Sequence, residues 1–171
     1  SPSFASLGNL VNILQQVSVT AIIAVGLTFV ILTAEIDLSV GAVAGATAIV
    51  LTYFTAQPDY VNIANLPMPG WVAIIFALIA CCALGLITAF GVTRIGIPSF
   101  IMTLAMMKIG AGISAVLVRG QIAYTVPPLV LTLGSKAIFG VPWIIIVAAI
   151  FLLVAHLVLT YTRFGRYVYM V

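Results

Sequence analysis

Two carboxylates two residues apart, Glu35 and Asp37, stand between long apolar runs in the stretch Leu32–Gly41. They are two of only three acidic side chains in 171 residues, against six basic ones. A carboxylate close to lipid is costly unless it pairs, caps a helix or reaches water, which makes each a functional candidate. Asp37 directly precedes Leu38-Ser39-Val40, so its carboxylate can accept backbone N–H groups where a helix begins and favour that helix's positive end. Lining a polar path is its second reading. Glu35 cannot be the same cap, and an internal ion pair is its leading reading. The natural partner is Lys108, ten residues from either end of its own apolar run, where a lysine cannot easily snorkel to water. The other reading of Lys108 is a helix displaced enough to leave it wet. His156, alone in a later apolar run, reads as a helix-packing donor sooner than as a proton relay.

Other chemistry is excluded quickly. Cys81 and Cys82 are adjacent, whereas a metal site or disulfide framework needs spaced ligands. They read as small packing residues. No reactive serine has an acid and a histidine at useful spacing, and there is no G-x-x-x-x-G-K-[ST] loop. The chain is not expected to be an enzyme or to hold a cofactor or metal. The net charge of +3 comes from scattered single residues. That suits flanking anchors of membrane spans and gives no sign of nucleic-acid binding.

The elements that must position these residues are set by composition. The chain is 64% hydrophobic and 5% charged, with a mean hydropathy of +1.36, whereas soluble domains are about a quarter charged. Its apolar runs are continuous rather than alternating and reach the about 20 residues a helix needs to cross a bilayer. The expectation is an all-α, polytopic transmembrane bundle of about five spans, near 10–32, 38–56, 71–92, 98–118 and 143–162. In the first span Asn12, Gln15, Gln16, Ser18 and Thr20 supply polar groups, with Asn12 and Gln15 or Gln16 on one side. That side should face protein or water, as helix glue or as a pore lining. The second span carries a GxxxG pattern at Gly41 and Gly45, continued by Ala48 and Thr52. The third repeats Ala77, Cys81, Gly85 and Ala89 at every fourth position. Both predict close helix packing. Connectors fall at 57–70, with three prolines, and at 119–142, where Leu129–Leu133 is apolar enough for the membrane surface or a partner. Arg94, Arg163 and Arg166 fall on one side of the membrane and Arg119 and Lys136 on the other, which weakly favours the first group as cytoplasmic.

Four ordered motifs then carry a resemblance. Thr33-Ala34-Glu35-Ile36-Asp37-Leu38-Ser39-Val40-Gly41 resembles the "GGIDLSVG" signature of permease subunits in ribose/xylose/arabinose-type ABC sugar importers. Ala-Glu in place of Gly-Gly is similar to xylose-type members. Gly96-Ile97-Pro98-Ser99-Phe100-Ile101-Met102-Thr103-Leu104-Ala105 and Thr162-Arg163-Phe164-Gly165-Arg166-Tyr167-Val168-Tyr169 resemble two further family blocks. The lead-in from Asn9-Leu10 to Gln16-Val17-Ser18 matches as well. Together they cover essentially the whole chain. Two departures stand out. Ala111 occupies a position where the family often has arginine, with Lys108 one turn earlier, and the chain stops at Val171, about half the family's length.

The resemblance implies a multi-pass protein of the bacterial inner membrane that passes a monosaccharide, in the first place a pentose. ATP would be hydrolysed on a separate cytoplasmic ATP-binding subunit. A periplasmic sugar-binding protein and a second permease copy are the other implied partners. The chain would be one partial permease domain, residues 1–171, ending before the cytoplasmic coupling region and unable to transport alone. The candidate path and intramembrane polar residues are Gln15, Gln16, Glu35, Asp37, Ser39, Ser99, Thr103 and Lys108. Arg163, Phe164, Gly165 and Arg166 would begin the ATPase-coupling segment. The rival reading is an ion- or proton-coupled carrier using Glu35, Lys108 and His156.

Overall fold

A computed structural model describes residues 4–55, 68–118, 128–135, 137–138 and 140–170. Helices dominate, as composition requires: in lipid every backbone polar group must be paired within its own segment. The order is α1 (Leu7–Leu32), α2 (Val40–Thr55), α3 (Gly70–Phe90), a π-turn (Gly91–Ile95), α4 (Ser99–Val118), α5 (Pro128–Ser135), a two-residue antiparallel ladder of β1 (Ala137–Ile138) and β2 (Val141–Pro142), α6 (Trp143–Tyr161) and α7 (Arg163–Val168). The threonines and serines inside the helices satisfy themselves locally. Ser18, Thr28, Thr47, Thr52, Thr88 and Ser114 each donate to the carbonyl four residues back, at 2.6 to 3.0 Å. A hydroxyl so paired adds little cost to a lipid-facing helix.

Four of these helical stretches, Leu7–Leu32, Gly70–Ile95, Ser99–Val118 and Trp143–Tyr161, are long and apolar enough to cross a membrane. The expected second span, 38–56, is shorter than expected. Its helix starts at Val40 and has 16 residues, which at 1.5 Å per residue reaches about 24 Å against a hydrocarbon core of about 30 Å. Most of connector 57–70 and the 119–127 part of the later connector lie outside the described residues. Within the latter, Leu129–Leu133 falls in α5, and the ladder turns through Gly140 at φ 84°.

The chain forms two compact units, residues 1–35 with 131–171, and residues 36–130. In the first, α1 packs along α6, and α6 carries α7 at its end. Ser6 starts α1 by accepting from the Asn9 N–H at 3.3 Å. Ser18 on α1 and Ala148 on α6 are the buried residues of these two helices. On the polar side of α1, Gln15 Nε2 donates to the Gly134 carbonyl at 2.8 Å, binding α1 to the C-terminal turn of α5.

In the second unit α2 packs against both α3 and α4. Its core is built from small side chains, Ala46, Ala73 and Ala77, around Met106. The contact that sets α2 on α4 is Gly110, where an added Cβ would lie 3.1 Å from the Ala42 carbonyl oxygen. The expected GxxxG face is not the one used. Gly41 and Gly45 are exposed, and a Cβ at either meets nothing within 4 Å. Close approach needs a small residue opposite a backbone, and Gly110 presents that to the Ala42 face instead. The α3 stripe packs only at its start, where Ala73 and Ala77 are buried, while Gly85 and Ala89 are exposed. The link from α3 to α4 is tight: a Cβ at Gly91 would sit 2.8 Å from Met102 Sδ. Gly96 ends the π-turn at φ 80°, a conformation that L side chains resist. Pro98 then lends its carbonyl to Met102 N–H at 3.0 Å as α4 begins.

Candidate functional site

The segment between α1 and α2 is built from its backbone outward. At the end of α1 the N–H of Glu35 donates to the Val30 carbonyl at 3.2 Å, and that of Ala34 to Ile31 at 3.0 Å. This is a Schellman ending, and its left-handed position is filled by Ala34 at φ 56°. Glycine is the usual occupant, because a Cβ there crowds the next carbonyl. Glu35 itself is half-buried in the first unit, while Lys108 belongs to the second.

Residues 36–39, in the second unit, form no regular secondary structure and are held by α4. The Ile36 N–H donates to Ser99 Oγ at 3.3 Å, and Thr103 Oγ1 reaches the Ile36 carbonyl at 3.4 Å while donating to its own Ser99 carbonyl at 2.8 Å. A non-helical stretch beside apolar helices needs such side-chain partners for its backbone. Asp37 Oδ1 then accepts twice, from the Ser39 N–H at 2.7 Å and from Ser39 Oγ at 2.6 Å. The Ser39 carbonyl takes the Val43 N–H at 2.8 Å. Ser39 therefore occupies the cap position of α2, and Asp37 braces it from two residues earlier. The expectation that the Asp37 carboxylate accepts backbone N–H at the start of this helix holds, but the cap itself is Ser39. Serine immediately before an apolar run is a helix-start signal, and that signal was there to be used.

The structure thus brings Asp37, Ser39, Ser99 and Thr103 around one non-helical segment. Ser39 and Thr103 are 3% and 2% exposed, too enclosed to depend on solvent. Lys108 is elsewhere. It is five residues on from Thr103, which at 3.6 residues per turn turns it about 140° away along the helix. It is exposed, opposite the face formed by the buried Thr103, Met106 and Gly110. Gln16 is exposed on α1, beside the engaged Gln15. His156 is exposed on α6, with its ring against residues of the same helix: Thr160 Oγ1 lies 3.5 Å from Nδ1 and the Tyr161 ring is edge-on at 6.5 Å.

A second constellation lies at the end of α6. Thr162 breaks the helix in an extended conformation; its hydroxyl donates to the Val158 carbonyl at 2.6 Å and accepts the Gly165 N–H at 3.2 Å. Gly165 packs so closely that a Cβ would run into the Leu159 carbonyl. Gly165 and Val168 are buried, and Phe164 stacks on Phe29 of α1 at 6.2 Å. Arg163 and Arg166 remain exposed and, among the described residues, have no carboxylate partner. Thr162 is the residue whose part was not foreseen. Its signal is a threonine placed three residues before a glycine at the end of an apolar run.

Residues 9–171 match the family described as "Branched-chain amino acid transport system / permease component". Among curated proteins, the ribose import permease protein RbsC of Escherichia coli is 37% identical over 99% of this chain and 51% of its own length. The galactofuranose transporter permease protein YtfT of Escherichia coli is 30% identical over 94% of this chain and 45% of its own. The xylose transport system permease protein XylH of Haemophilus influenzae is 34% identical over 88% of this chain and 36% of its own. The chain spans about half the length of the ribose import permeases it matches, 51%. No solved structure matches it.

Proposed function

This chain belongs to the permease-component family of branched-chain amino acid transport systems, and we propose that it forms part of the permease subunit of an ATP-driven sugar importer in the bacterial inner membrane. The observation that carries this reading is the 37% identity to a ribose import permease along 99% of the chain. The other relatives named above are permeases for xylose and galactofuranose. The substrate class is therefore a monosaccharide, with a pentose first, and not the amino acid in the family's description. ATP would be hydrolysed on a separate cytoplasmic subunit, and sugar delivered by a periplasmic binding protein to a pair of permease copies. These relatives lend nothing to the rival reading of an ion-coupled carrier.

Within this reading the residues divide. Asp37, Ser39, Ser99 and Thr103 hold the non-helical segment before α2, so its shape rather than its charge meets the path. Gln15, Gln16, Glu35 and Lys108 remain the other polar candidates for the path. Arg163, Phe164, Gly165 and Arg166 begin the segment through which the ATPase is coupled. The test is reconstitution of the full-length permease with its ATPase and binding protein, followed by a screen of pentoses, hexoses and branched-chain amino acids. A pentose should stimulate ATP hydrolysis and uptake together. Stimulation by amino acids alone, or uptake that persists without the ATPase and collapses with an uncoupler, would overturn the proposal.

A further inference from the structure

The end of α6 carries a basic and aromatic face at the start of the proposed coupling segment, and that role does not by itself say what its two guanidinium groups meet. Arg163, Arg166, Tyr167 and Met170 recur at i, i+3, i+4 and i+7, and line one open cavity of about 260 Å³. The opposite side of α7, Gly165 and Val168, is buried. The short helix is therefore fixed in orientation, its inner side seated and its two guanidinium groups held outward. Neither arginine has a carboxylate partner among the described residues, so none of these offsets the charge of the cavity.

Position decides what compensates it. The face follows directly on α6, 19 residues of unbroken apolar helix long enough to cross a bilayer. Around it Tyr161, Phe164, Tyr167 and Tyr169 are exposed by more than half, the composition of a span end that sits at headgroup level. Guanidinium groups at that depth meet phosphate oxygens, which they bind with two parallel N–H···O contacts. Met170 and the tyrosine rings offer the apolar surface that a glycerol and the first methylenes of a lipid require. We propose that Arg163 and Arg166 form a binding site for the phosphate headgroup of an anionic phospholipid, which holds α7 at the membrane surface. An acidic segment of a partner protein would match the charge but not the exposed aromatic collar.

The test uses the full-length permease in mild detergent, with phosphatidylglycerol or phosphatidylcholine added and retention read by native mass spectrometry. Phosphatidylglycerol should be retained in preference. Each basic residue near an anionic surface contributes about a factor of five in binding, so R163Q/R166Q should lower that retention by about 25-fold. R163K/R166K, which keeps the charge and loses the planar fork, should retain part of it and shows that the pair is not needed merely to fold. R94Q, at the end of another helix, should behave as wild type. Equal retention of the two lipids, or an unchanged R163Q/R166Q, overturns the site. So does inorganic phosphate displacing the lipid at millimolar concentration, which would assign the site to a free anion. Loss of ATPase association in R163Q/R166Q with lipid retention intact would assign the face to the partner protein instead.

Discussion

Replacing Asp37 by alanine tests whether this carboxylate is a brace or a transport group. One oxygen of Asp37 accepts both the backbone N–H and the hydroxyl of Ser39, at 2.7 and 2.6 Å. Bonds to a charged acceptor contribute about 1.5–3 kcal/mol each, but two that share an oxygen are not independent. Ser39 is 3% exposed, so water does not replace the lost acceptor, and an orphaned group adds about 1–3 kcal/mol. D37A should therefore cost about 2–4 kcal/mol. D37N keeps an oxygen in place and loses only the charge assistance, so about half of that is expected. S39A leaves the carboxylate on the backbone N–H and should cost about 1 kcal/mol. The double variant D37A/S39A should cost less than the sum by about 1 kcal/mol, since the hydroxyl that wanted a partner is gone. The assay is thermal unfolding of the full-length permease in one detergent at one scan rate, where about 2 °C corresponds to each kcal/mol, with sugar uptake measured beside it. Melting that is unchanged in D37A while uptake is lost would refute the argument and place Asp37 on the sugar path.

Two further outcomes follow from the same geometry. A34G should raise the melting temperature by the equivalent of up to about 1 kcal/mol, because it relieves a left-handed alanine while adding chain entropy to the unfolded state; an unchanged or lower value would contradict the strain. G110V should lose about 1–3 kcal/mol by driving side-chain atoms into the Ala42 carbonyl, whereas G85A, with nothing within 4 Å of its Cβ, should be neutral or slightly stabilising on the same melting assay.

The helices were legible in the sequence because apolar runs of spanning length leave little alternative, and glycine and proline mark their ends at Gly96 and Pro98. The family motifs identified the chain for the same reason: they fall on the tightest local geometry, at Ala34–Ser39, Gly96–Thr103 and Thr162–Tyr169. Packing faces were harder to read. Gly41 and Gly45 match the small-residue pattern, but which side of α2 is used depends on Gly110, more than sixty residues away. The start of α2 lies later than Leu38 because Asp37 and Ser39 act together there: the carboxylate holds Ser39, and Ser39 takes the cap. The cost of an unpaired charge points Glu35 towards a partner but carries no direction, and the exposed position of Lys108 on α4 is set by the packing of Thr103, Met106 and Gly110 on the other side of that helix.

At the elbow between α6 and α7 one hydroxyl is used twice, with Thr162 donating back to Val158 and accepting from Gly165, beside the backbone bonds from Thr162 N–H to Val158 and from Arg166 N–H to Thr162. Because Gly165 also abuts the Leu159 carbonyl, the joint has no slack to take up a push. If the proposed coupling holds, a displacement of the six residues of α7 would pass to α6 and, where α6 packs along α1, to that helix as well. In mechanical terms the elbow would then serve as a crank, turning a push at the helix end into movement along a spanning helix.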